Sequence, residues 1–64
     1  MRFHIENMTC GGCARSVTRT IQKVDPAADV RIDVEARFVE VRTDASPDAL
    51  ASALDAAGFP AAAA

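Results

Sequence analysis

The segment Met8-Thr9-Cys10-Gly11-Gly12-Cys13 holds both cysteines of the chain, with two glycines between them. Two thiols separated by two residues can bring both sulfurs to one metal ion, and the glycines let the chain bend closely around whatever lies between them. The same spacing serves thiol exchange, so it defines a chemistry of thiolates before it defines a metal. Position sharpens the reading. Cys13 opens a helical pattern, where free backbone N–H groups and the helix dipole stabilise a thiolate, and Arg15 adds positive charge nearby. A structural zinc site takes four ligands, whereas the chain offers two Cys and one His. Soft two-thiolate sites select Cu(I), which accepts few ligands and leaves room for one more from a partner. Cys10 and Cys13 are therefore the candidate metal ligands. Met8 is expected in the core and not on the metal. His4 is expected to be an exposed strand residue, although it could join a metal bridged between two copies.

The elements that must position this pair are legible as changes of period. Residues 2 to 6 alternate, with Phe3 and Ile5 on one face and Arg2, His4 and Glu6 on the other, which predicts a first strand. From Cys13 the apolar positions become Ala14, Val17, Ile21 and Val24, the stripe of a helix of about three turns. Arg15, Arg19 and Lys23 recur every four residues along its outer side, and Asp25-Pro26 ends it. Val30, Ile32 and Val34, a turn near Ala36-Arg37, then Val39 and Val41 predict a hairpin with Phe38 out of phase on the exposed face. Ser46-Pro47-Asp48 is a helix start. Leu50, Leu54 and Ala57 form its stripe, and Gly58 stops it. Phe59 to Ala64 has room for one poor last strand, either a weak edge or a frayed tail. The order β, α, β, β, α, β predicts an α+β, ferredoxin-like fold: a four-stranded antiparallel sheet with two helices on one face. One domain over residues 1–64 is expected.

Composition narrows the function classes. Half the residues are apolar and a quarter charged, the balance of a globular domain. The net charge of −2 and three phenylalanines as the only aromatics argue against nucleic acid, which needs clustered bases and, on such a sheet, several exposed rings. The charge is unevenly placed. Cys10 to Val24 contains three bases and no acid, so this segment carries +3 and the remainder −5. No apolar run approaches the length of a membrane span, and residues 1 to 9 lack the pattern of a secretory signal, so the cytoplasm is the expected compartment.

At the M-T-C-G-G-C segment after a first strand, with Asp25-Pro26, the V-E-V of the third strand and Gly58-Phe59, the chain resembles a heavy-metal-associated domain of the free-standing bacterial copper-chaperone type. The resemblance spans nearly the whole chain. It implies that Cys10 and Cys13 bind Cu(I) and hand it by stepwise thiolate exchange to a copper-transporting P-type ATPase, with no catalytic turnover. It also implies that Met8 supports the loop from within and that Phe59 lies close to the metal loop as a cap against water. Thr9 precedes the first cysteine where zinc-tuned relatives often carry Asp, which favours copper.

Two alternatives stand beside this expectation. Phe at position 59 is the choice of domains attached to ATPases, so an excised ATPase metal-binding domain is one, although the start at Met1 favours a free-standing protein. A C-x-x-C thiol redox protein is the other; it lacks the tryptophan and proline context of thioredoxin-like enzymes. The expected assembly is a monomer without metal, with a copper-bridged dimer as the metal-dependent form. The Arg15, Arg19, Lys23 ridge is either a solvated helix face or a docking surface for an acidic partner.

Overall fold

The computed structural model describes all 64 residues, Met1–Ala64. Its elements are β1 (Arg2–Ile5), α1 (Gly11–Val24), β2 (Asp29–Asp33), β3 (Phe38–Arg42), α2 (Pro47–Ala56) and β4 (Ala61–Ala63). They form one antiparallel sheet in the order β2-β3-β1-β4. The period-two residues fall as the sequence predicts. Phe3 pairs with Val39, and Phe3, Ile5, Val39 and Val41 are all buried on one face. Val17 and Ile21 of α1 and Leu50 and Leu54 of α2 join the same buried cluster, so both helices cover that face. This is the ferredoxin-like arrangement.

The opposite face is polar, apart from the small Ala62 and the large Phe38. Its ring meets His4 edge-on, with centroids 5.3 Å apart, and the Arg2 guanidinium lies 5.7 Å above it. The aromatic that falls out of phase with β3's buried positions is thus held on the outer face by its cross-strand neighbours.

Besides β1, which ends at Ile5 and leaves Glu6 in the following turn, three boundaries differ from expectation. β2 stops at Asp33, and Val34 to Arg37 form a four-residue turn in which the Asp33 carboxylate accepts the Ala36 N–H at 3.1 Å. Arg37 closes this turn in the left-handed region, with φ of 59°. Ala57 is not part of the α2 stripe. It is the exposed C-cap, because the helix ends one residue sooner and the apolar contact passes to Phe59. The N–H groups of Gly58 and Phe59 donate back to the carbonyls of Asp55 and Leu54 at 3.0 and 2.8 Å, the double bond of a Schellman motif. Gly58 supplies the required positive φ, 89°. Third, α1 begins at Gly11, two residues before Cys13.

The last strand is an edge of three alanines paired with β1, Ala61 opposite Ile5 and Ala63 opposite Phe3. Proline at position 60 precedes the pairing and does not interrupt it.

Candidate metal centre

The earlier start of α1 changes the role of each cysteine. Cys10 is the N-cap, with extended backbone (φ −151°, ψ 169°), and its sulfur accepts the Cys13 N–H at 3.4 Å. Cys13 is the third helical residue. The first turn of a helix leaves backbone N–H groups without internal partners, and here a sulfur takes one of them. The Cys13 N–H, then the Cys13 side chain, then the Gly12 N–H hold the Cys10 thiol below its usual range, against a weaker opposing effect of desolvation. The thiolate favoured by the helix start is therefore that of Cys10. The two sulfurs lie 3.2 Å apart as free thiols.

Exposure divides the pair. Cys10 is open to solvent, while Cys13 is half-buried and packs against the core. Met8, two residues before Cys10, is fully buried, as expected of a residue supporting the loop from inside. Its N–H donates to Ile5 O at 3.1 Å, which turns the chain inward directly after β1.

The glycines do not act as expected. Neither Gly11 nor Gly12 has a positive φ; both lie within the helix. A Cβ on Gly11 would meet nothing, and one on Gly12 would rest 3.8 Å from the Cys10 sulfur, an ordinary contact. What the glycines provide is bareness, since neither adds a side chain beside the Cys10 sulfur.

Asn7 has a role that its place in the sequence does not announce. Its side-chain Nδ2 donates to Gly58 O at 3.2 Å, tying the cysteine loop to the turn after α2 across 51 residues. No periodicity signals such a bond. Phe59, next to that anchored carbonyl, is half-buried and packs against the core. His4 stays on the outer face of the sheet, 3.6 Å from Glu6. No third His, Cys, Asp or Glu joins the cysteine pair. Arg15, Arg19 and Lys23 are all exposed along α1.

Comparison with known proteins places this arrangement. The sequence pattern of the heavy-metal-associated domain matches residues 2–60. The chain belongs to that family. A Dictyostelium discoideum protein, the copper transport protein ATOX1 homolog, is 39% identical over 33 residues, which is 52% of this chain and 49% of that protein. The match thus spans about half the length of that curated relative. A gold-binding protein of known crystal structure is 51% identical, with 95% of this chain and 94% of that one covered and a TM-score of 0.93. The copper chaperone Atx1 from Synechocystis PCC6803 superposes with a TM-score of 0.93 over 97% of this chain and 98% of that one; at 24% identity it bears on the fold alone. No helix of this heavy-metal-associated domain is long and apolar enough to cross a membrane.

Proposed function

We propose that residues 1–64 form one carrier domain for a soft monovalent metal ion, Cu(I) first, held by the thiolates of Cys10 and Cys13. The observation that carries this reading is two free sulfurs 3.2 Å apart at the exposed start of a helix. Two thiolates suit a soft ion of low coordination number and fall short of a closed zinc site. Taking the zinc–thiolate length of about 2.3 Å as an upper guide, two sulfurs on opposite sides of one ion would stand up to about 4.6 Å apart, so the pair would open from 3.2 Å by up to roughly 1.4 Å on loading. Exposed Cys10 makes that movement by giving up its bond to the Cys13 N–H, while half-buried Cys13 stays with the helix.

Release follows from the same geometry. An incoming thiolate approaches over bare Gly11 and Gly12, forms a third metal–sulfur bond, and lets one of the original bonds break. Each step exchanges one bond for another, so the ion is never free. The receiving protein in this reading is a copper-transporting P-type ATPase, met in the cytoplasm by a protein that performs no catalytic turnover. The metal-free carrier is a monomer, and a copper ion shared between two copies is its dimeric form.

Identity of 51% with a gold-binding protein favours Au(I) as a second cargo, since it shares the softness and low coordination of Cu(I). One experiment addresses both ions. Reduced protein is titrated anaerobically with Cu(I) against a chromophoric chelator, beside Cys10→Ser and Cys13→Ser, and the loaded protein is then challenged with Au(I). One tight equivalent, lost in both variants, is expected. A wild type that competes no better than its variants overturns the carrier reading and leaves thiol redox chemistry. Displacement of Cu(I) by equimolar Au(I) makes gold the preferred cargo.

A further inference from the structure

β2 is an edge of the sheet, and its free side lies beside α1. A shallow cavity of about 370 Å³, largely open to solvent, lies there, lined by Ala14, Arg15, Thr18 and Arg19 of the helix and by Val30 and Ile32 of the strand. Val30 and Ile32 are only half-buried, so the cavity floor is apolar and its rim basic.

The backbone at this edge is also open. Met1 and Val41 exchange two main-chain bonds, and the Ile5 N–H donates to Arg37 O, so odd-numbered residues of β3 direct their peptide groups toward β1. Even-numbered Phe38, Glu40 and Arg42 therefore face β2, where their partners are Asp33, Arg31 and Asp29. The N–H and C=O groups of Val30 and Ile32 are left pointing outward, beneath the basic rim.

We infer that this edge is a docking groove for an extended acidic segment of a partner protein, which adds to β2 as a fifth strand under Arg15 and Arg19. Residues of the incoming strand that pair with Val30 and Ile32 point their side chains into the cavity, as Val30 and Ile32 do. They are two positions apart, about 7 Å along a strand. Arg15 and Arg19 are four positions apart, about 6 Å along a helix. Acidic side chains at alternate positions thus meet both guanidiniums at once, while their methylenes cover the apolar floor.

A second copy of the chain is a poorer occupant. Full-length antiparallel pairing of β2 with itself sets Arg31 against Arg31 and Asp29 against Asp33, like charges directly opposite. It also brings two basic rims together. The groove is independent of metal, although Cys13 directly precedes its first lining residue, Ala14.

The test uses the full chain, ¹⁵N-labelled, reduced and metal-free, with a capped five-residue peptide carrying glutamates at its second and fourth positions and threonine or valine elsewhere. Millimolar peptide is expected to slow amide hydrogen exchange at Val30 and Ile32 by about tenfold or more. The double substitution Arg15→Glu, Arg19→Glu is expected to weaken binding by at least about tenfold, while Lys23→Glu, outside the groove, changes it by less than about threefold. Methylating the peptide on the nitrogens of its two glutamates keeps its charge and removes the strand pairing, and this peptide should not protect Val30 or Ile32. Equal protection by the methylated peptide, or unchanged exchange with the plain one, overturns the proposal. So does protection that appears without peptide and grows with protein concentration, which would make the edge an interface between copies.

Discussion

The Cys10 sulfur accepts the Cys13 N–H and also lies within reach of the Cys13 sulfur, and both contacts favour its ionised form. A lowered thiol pKa means that Cys10 is a thiolate, ready to bind or attack, at a pH where an ordinary cysteine is still protonated. The rate of its alkylation against pH should therefore have its midpoint below that of an unstructured cysteine. Cys13→Ala removes the side-chain donor and keeps the backbone donors, so the midpoint should move part of the way back up; mass spectrometry of the alkylated site reads both. The neighbouring glycines give a second expectation. With helical backbone and free space at its Cβ, Gly11→Ala should raise stability by up to about 1 kcal/mol in thermal unfolding, as expected for Gly to Ala within a helix. A loss of stability would mean that the loop needs a backbone that only glycine adopts.

Among the elements, α2 is the one whose ends are most fully specified. Ser46 accepts the Ala49 N–H at 3.1 Å, Pro47 needs no donor, and Gly58 turns the chain at positive φ. Ser46→Ala should cost about 1 kcal/mol and Gly58→Ala about 1–2 kcal/mol in denaturant unfolding, with Gly58→Asn milder because Asn tolerates the left-handed region. At the end of α1, Thr43 Oγ1 and the Ala27 N–H donate to the Asp25 carboxylate and lower its pKa. A carboxyl whose folded pKa lies below its unfolded value stabilises the fold above the unfolded pKa, and that stabilisation is lost as pH falls through the folded one. Melting temperature should accordingly fall less steeply on acidification in Asp25→Asn than in the wild type. These ends were legible because caps and stop signals are local chemistry: Ser-Pro-Asp, Asp-Pro and Gly-Phe each name a geometry. The start of α1 was not. Cysteine is an unusual N-cap, so the change of period at Cys13 marked where the apolar stripe begins and not where the hydrogen bonds begin. The fold was readable from alternation in Phe3-Ile5 and Val39-Val41, and the cysteine pair from its spacing. Asn7 was not, because its partner is a carbonyl from the far end of the chain.

Considered whole, the molecule rests on ten buried residues, none of them polar or charged. Domains of this size are stabilised by only about 0.05–0.15 kcal/mol per residue, so a single cavity is a large fraction of the total. Leu54→Ala should cost about 2–5 kcal/mol and leave little folded protein at physiological temperature, measured by circular dichroism. The charge map is equally uneven, with the bases of α1 set against an acidic remainder. The two chain ends meet on the sheet: Met1 is bonded to Val41, and the Ala64 N–H donates to Arg2 O at 3.0 Å. Because β1 runs from Met1 toward the cysteine loop, both ends emerge side by side at the end of β1 opposite that loop. A short peptide joining Ala64 back to Met1 would close the molecule into a ring, reducing the conformational freedom of its unfolded chain while leaving the thiols free to pass an ion on.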